Sequence, residues 1–199
     1  MEVKKDLTTH GASIIKSSGL LRLTNKTRNV VGQAFYYTPI QMLNTSSNSS
    51  PNASSFSTTF VFQIVSPKGK GGFGLAFTLA PSNQLPRAAA GHYLGLFNSS
   101  NDGNSSNHIF AVEFDTVNGF NDSADSEGNH VGININSMFS RSMEVAAYRE
   151  TDHPDREKNL MLESGERIQA WIEYDGATRL VNVTIGPVGE RQTESPTHH

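Results

Sequence analysis

Short apolar or alternating runs recur through this chain, separated by clusters of Gly, Asn, Ser and Pro. Strand side chains alternate between two faces, so alternation favours strands and the clusters favour turns. Long amphipathic helical repeats are hard to find. The pattern predicts strands over Ala12–Lys16, Leu20–Thr24, Val30–Tyr37, Ser55–Ile64, Gly72–Leu79, Ile109–Thr116, His130–Asn136, Met143–Tyr148, Arg167–Tyr174 and Arg179–Ile185. Asp175-Gly176 predicts a tight hairpin between the last two. The polar tracts Asn44–Ser54 and Asn98–Asn107 read as exposed loops in which a helix is hard to place. Strands joined by long loops predict an all-β fold, two stacked antiparallel sheets forming a jelly-roll β-sandwich.

At 199 residues the chain suits one domain, expected over 5–187, with a polar tail over 188–199. A net charge of −3 gives no large basic field for nucleic acid. No apolar run approaches the length needed to span a bilayer. Residues 1–20 lack the apolar core of a signal peptide, and the opening reads as a truncated or engineered beginning. There is no Cys, so no disulfide braces the fold. Asn-x-Ser/Thr occurs at Asn25, Asn44, Asn48, Asn52, Asn98, Asn104, Asn121 and Asn182, which favours a secreted or cell-surface protein.

The stretch from Phe110 to Asn136 carries the chemistry. Glu113 and Asp115 sit two apart in an apolar run. On a strand they share a face, roughly 6–7 Å apart at Cα. Carboxylates are rarely buried unless paired or holding a metal. His130 opens the next strand, and the intervening loop holds Asn118, Asn121, Asp122, Asp125 and Glu127. The oxygens suit calcium and the imidazole suits manganese or zinc. The structural alternative is that these are solvated strand residues.

Other motifs fit less well. Counted from Ser123, the bidentate Glu of a helix-loop-helix calcium motif would fall on Asn134. Glu113-x-Asp115 is half of a sandwich-glycosidase pattern whose second Glu is here Asn118, which argues against hydrolysis. Lys68-Gly-Lys-Gly-Gly72 leads into a strand rather than a helix and does not fit a phosphate loop. Trp171 reads as core or sheet-face packing.

Several segments in order resemble the legume-lectin domain, as found in plant L-type lectin receptor kinases. They are Gly19–Asn25, Gly32–Tyr37 with Pro39, Ser57–Phe62, Gly74–Pro81, Tyr93–Asn98, Val112–Thr116, Asn129–Ile133 and Trp171–Gly176. The resemblance implies a concanavalin-like, sugar-binding sandwich dependent on calcium and manganese, with no catalysis of its own. By position, Glu113, Asp115, Asp125 and His130 resemble the manganese ligands. Asp115 and Asp125 also resemble bridging calcium ligands, completed by the Val117 carbonyl and a loop Asn, here Asn121. Ser140 resembles the position that reaches manganese through water.

The resemblance also implies a ligand site around Phe73, Gly91, His92, Phe120 and Asn121. Phe73 stands where sugar-binding members carry an Asp reached through a cis peptide; Phe can stack on an apolar sugar face but cannot accept a hydrogen bond. Gly119 stands at the usual loop Asn, and Val117 at the usual aromatic platform, which Phe120 would replace. The family's first strand and closing strand pair have no counterpart in these residues, so N-terminal and C-terminal strands are expected to be missing. The implied setting is extracellular or the outer face of the plasma membrane. The implied partner is a glycan, or a cell-wall or small extracellular ligand, with a homodimer through the sheet. The rival within binding is a degenerate lectin that recognises an apolar or protein surface.

Overall fold

The computed structural model describes residues 6–44, 52–66, 71–117, 128–150 and 152–189. Its strands are β1 Leu7–Gly11, β2 Ile14–Ile15, β3 Leu21–Arg22, β4 Gly32–Tyr36, β5 Leu43–Asn44, β6 Asn52–Ala53, β7 Phe56–Phe62, β8 Gly74–Leu79, β9 Phe110–Asp115, β10 His130–Ile135, β11 Ser142–Val145, β12 Ala147–Glu150, β13 His153–Asn159, β14 Ile168–Asp175 and β15 Leu180–Pro187. Short 3-10 helices occupy Gly91–Tyr93 and Ser105–Asn107. The chain divides into two units, Met1–Pro39 with Ser66–Val145, and Ile40–Val65 with Ala146–His199.

In the first unit β11-β10-β9-β8 form an antiparallel sheet, and β1 pairs with β4. From Ala111 to Asp115 every residue of β9 is buried, because the strand lies inside the sheet and is covered on both faces. Val112 and Phe114 are fully buried on one face. The other carries Ala111, Glu113 and Asp115, beside Ala76 of β8. Leu96, Phe97, Ile109 and Ala111 form an apolar cluster, with Ala76, Leu85, Tyr93 and Met138 packed against it. The segment around Leu85–Phe97 thus packs on the face that carries Ala111 and Glu113.

In the second unit β15-β14-β7 form an antiparallel sheet and β12 pairs with β13. Ile168, Ala170 and Ile172 are fully buried, whereas Gln169, Trp171 and Glu173 are partly exposed. Burying each of the two isoleucines contributes about 1.5–3 kcal/mol.

Several expectations change. Leu7–Gly11 is a strand; its Thr-Thr-His core is polar, and backbone pairing with β4 holds it. Met143–Tyr148 divides at Ala146 into β11 and β12, which belong to different sheets. The charged run His153–Asn159 is a strand, held by backbone pairing with β12, with Arg149 opposite Glu157. The tract Asn44–Ser54 begins and ends in the paired strands β5 and β6; residues 45–51 lie outside the described ones. Asn98–Asn107 contains a 3-10 helix capped by Asn104, whose Oδ1 accepts from Ser106 N at 2.9 Å. The β14–β15 hairpin is present, but Asp175 pairs with Leu180, so its loop has four residues rather than two. The residue with positive φ there is Arg179, at 62°, not Gly176.

Candidate metal and ligand site

Antiparallel register builds the site. His130 lies opposite Asp115, and Gly132 opposite Glu113. Both carboxylates and the imidazole therefore share one sheet face. All three residues are buried: Glu113 is 2% exposed, Asp115 5% and His130 5%. The loop reaches β10 through Gly128 and Asn129, both with φ near 60°. Gly and Asn are the residues that tolerate this backbone most readily.

Glu113 is the hub. Ser140 Oγ donates to its Oε1 at 2.5 Å, and Asn134 Nδ2 donates to its Oε2 at 3.1 Å. His130 Nε2 lies 3.3 Å from Oε1. Ser140 Oγ also lies 3.1 Å from Asn134 Oδ1. A buried carboxylate needs such donors to offset its desolvation. Asn134, fully buried, was not expected in the site. Its place four residues after His130, and so on the same face of β10, is the signal that could have found it.

Asp115 ends β9, and its Oδ1 accepts from Val117 N at 2.8 Å. Thr116 Oγ1 donates to Gly72 O at 2.9 Å, and Thr116 N donates to Phe73 O at 3.3 Å. Gly74 pairs with Asp115. These contacts place Phe73 beside the strand acid. Its ring meets that of His92 edge-on, with centroids 4.4 Å apart. A Cβ on Gly91 would lie 3.6 Å from the Phe73 ring. Phe73, Gly91 and His92 are thus brought together. No cis peptide occurs among the described residues.

Gln33 of β4 holds the loop that carries Gly91 and His92. Its Nε2 donates to Gly95 O at 2.8 Å and reaches Leu85 O at 3.5 Å, one from each side of the 3-10 helix. Ala89 N also donates to Phe97 O at 2.7 Å, closing the loop on itself.

Asn121, Asp125 and Phe120 lie outside the described residues, as do the sequons at Asn48 and Asn121. Among the described residues no three His, Asp or Glu side chains form a group able to hold an ion. The donor chemistry nonetheless fits hard cations: buried carboxylates, an imidazole and a hydroxyl on one face. A Cβ at position 132 would fall 2.5 Å from both Glu113 Oε1 and Ser140 Oγ. Glycine there leaves the space that these side chains occupy.

Sequons at Asn25, Asn104 and Asn182 are exposed. Asn98 is engaged by its Nδ2, which donates to Arg87 O at 3.1 Å. Asn44 and Asn52 lie on the paired strands β5 and β6.

The sequence pattern of the legume lectin domain matches residues 1–199. The chain is 50% identical over 188 residues to "Probable L-type lectin-domain containing receptor kinase VI.1" of Arabidopsis thaliana, covering 94% of this chain and 27% of that protein. It is 46% identical to "Lectin-domain containing receptor kinase VI.3" of the same plant, covering 92% and 27%. The chain therefore spans about a quarter of the length of these relatives. Among solved structures, it resembles the metal-free form of lectin I-B4 from Griffonia simplicifolia, with a TM-score of 0.72, 31% identity, and 96% of this chain and 76% of that one covered. It also resembles winged bean acidic lectin complexed with methyl-α-D-galactose, with a TM-score of 0.70, 31% identity, and 92% and 70% covered. These neighbours are jelly-roll β-sandwiches, in agreement with the strand pattern. The chain belongs to the legume lectin domain family, and is similar to the lectin domains of L-type lectin receptor kinases.

Proposed function

We propose that this domain binds a glycan outside the cell, on the outer face of the plasma membrane, as the recognition part of a receptor kinase. One observation carries the reading. The register that sets Asp115 opposite His130 and Gly74 brings buried metal-type donors next to the Phe73, Gly91 and His92 cluster. A lectin needs this coupling between a rigid polar centre and a ligand-facing surface.

In this reading Glu113, Asp115, Asp125, His130 and, through water, Ser140 hold manganese. Asp115, Asp125, the Val117 carbonyl and Asn121 hold calcium. Bound ions would supply the positive charge that offsets the paired carboxylates. Asn134 and Ser140 fix the Glu113 carboxylate. Phe73 offers a flat apolar surface for a sugar ring, and Phe120 and Asn121 belong to the loop beside it. The described part of this surface carries no side-chain carboxylate acceptor at position 73, so ring stacking would carry more of the binding than in lectins with an Asp there. A homodimer through the sheet would use the outer face of β7, β14 and β15, and only in a chain without a glycan on Asn182.

The test is metal analysis of purified protein followed by calorimetric titration with monosaccharides, galactose included, with and without added calcium and manganese. About one calcium and one transition ion per chain are expected, with saturable, metal-dependent sugar binding. Phe73→Ala should weaken that binding about tenfold, the scale of one aromatic stacking contact. Metal-free folded protein would refute the ion assignment. Metal-loaded protein indifferent to every sugar, yet able to bind an apolar or protein ligand, would refute the glycan assignment.

A further inference from the structure

Trp171 is the single tryptophan of the chain, and it stands on the partly exposed face of β14. Its neighbours Ala170 and Ile172 point to the buried face, and both are fully buried. Register sets Trp171 opposite Thr59 of β7 and opposite Thr184 of β15. Among the described residues the indole makes no ring contact and no side-chain hydrogen bond. A large aromatic surface therefore sits in the middle of a sheet face that also carries Ser57, Thr59, Val61, Gln169, Glu173 and Asn182.

Thr184 is the hydroxyl residue of the sequon Asn182-Val-Thr184. Asn182 is exposed, lies two residues from Thr184 on the same face of β15, and pairs with Glu173. Asn182 and Trp171 are thus diagonal cross-strand neighbours, about 7–8 Å apart at Cα and within reach of a large side chain. A pyranose attached to Asn182 Nδ2 is long enough to cover that separation. N-acetylglucosamine has one face lined by C–H bonds, which suits contact with an indole. Attachment occurs on the unfolded nascent chain, so a position within a strand is no obstacle provided that the folded residue faces solvent.

We infer that Asn182 carries an N-linked glycan whose first N-acetylglucosamine packs on Trp171 and caps the outer face of the β7-β14-β15 sheet. The inference rests on the extracellular reading above. The glycan covers apolar surface that would otherwise be open to a second copy, and its bulk lies along β15, an edge of the sheet as described. This sequon has an aromatic platform in register with it.

The test uses the full chain, directed into the secretory pathway of cells that make high-mannose glycans. Because secretion is imposed, failure here is separable from failure of the extracellular reading, which is checked by locating the protein in its own tissue. Peptide mapping by mass spectrometry should find a glycan on Asn182. Trimming with an endoglycosidase that leaves the first N-acetylglucosamine should leave tryptophan emission unchanged. Complete removal by an amidase should shift emission to the red and raise quenching by acrylamide. Trp171→Thr, which removes the aromatic surface and keeps a strand-compatible side chain, should remove the difference in melting temperature between trimmed and fully deglycosylated protein. An unmodified Asn182 would overturn the proposal. So would emission and quenching that ignore complete deglycosylation, or shielding of Trp171 that depends on protein concentration and so reports a second copy.

Discussion

Ser140 Oγ donates to Glu113 Oε1 at 2.5 Å, and Gly132, opposite Glu113 in the ladder, is the residue that leaves room for that bond. A methyl group at position 132 would meet both oxygens. Neither can yield without breaking the contact between them. Gly132→Ala should therefore destabilise the fold by about 1–3 kcal/mol, the usual scale of overpacking. It should also weaken manganese binding. Urea unfolding and metal titration check both. Unchanged stability would show that Ser140 swings away freely and that the cluster is loose.

Asn134 should behave differently from Ser140. It is fully buried and gives Glu113 Oε2 its amide donor. Asn134→Leu keeps a similar volume but leaves a buried carboxylate oxygen short of a partner, which costs about 1–3 kcal/mol. Asn134→Asp sets a second carboxylate against Glu113, and added metal should recover part of the lost stability by drawing the like charges to one cation. Melting temperature with and without calcium and manganese is the readout. A loss in Asn134→Leu with no metal response in Asn134→Asp would confine Asn134 to packing.

How much of this was legible in the sequence varies by element for physical reasons. β9 and β10 were found within a residue, because apolar alternation and a pair of spaced carboxylates mark them. The shared face of Glu113 and Asp115 follows from side-chain period, whereas placing His130 on it takes the register of β10 against β9. Asn134 was missed, because an Asn in an apolar strand looks like a solvent-facing residue until the register places it diagonal to Glu113. Asn98–Asn107 looked unstructured because its order comes from side chains rather than from periodicity. Asn98 N donates to Asn101 Oδ1 at 2.7 Å, and Ile109 N to Asn136 Oδ1 at 2.8 Å. β13 was hidden by its charge: it is held by its backbone ladder with β12, which hydrophobic patterning does not see.

Gln33 should matter to the ligand loop without touching ligand. Its amide holds Gly95 O and Leu85 O, on either side of Gly91 and His92. Gln33→Leu removes both donors, a loss of about 1 kcal/mol. Hydrogen exchange should quicken in the 85–96 segment while β9 and β10 keep their protection. Uniform loss of protection would mean that Gln33 supports the whole unit instead.

Arg179 closes the β14–β15 loop with φ of 62°, in the left-handed region. A side chain there costs about 1–2 kcal/mol that glycine avoids. Part of that gain is offset by the greater freedom of glycine in the unfolded chain. Arg179→Gly should raise stability by about 0.5–1 kcal/mol, measured by urea unfolding. A destabilised variant would point to a contact of the Arg179 side chain that outweighs the strain.

The same hairpin should be acid-sensitive through Asp175. Its carboxylate accepts first from the backbone N–H of Ala177, at 2.8 Å, and then from Thr178, and these bonds hold its pKa below the ordinary 3.8. A carboxyl with a lowered folded-state pKa stabilises the fold above its unfolded value. That contribution is lost as pH falls from 3.8 through the lowered value, where protonation removes the charge on the acceptor. The Ala177 amide resonance should therefore titrate with a midpoint below 3.8. Asp175→Asn keeps an acceptor oxygen but has nothing to protonate there, so the Ala177 titration should vanish while the hairpin persists. A midpoint at or above 3.8 would mean that the turn bonds do not favour the ionised form, and that Arg179 N, which donates to Asp175 O at 2.7 Å, holds the loop through backbone alone.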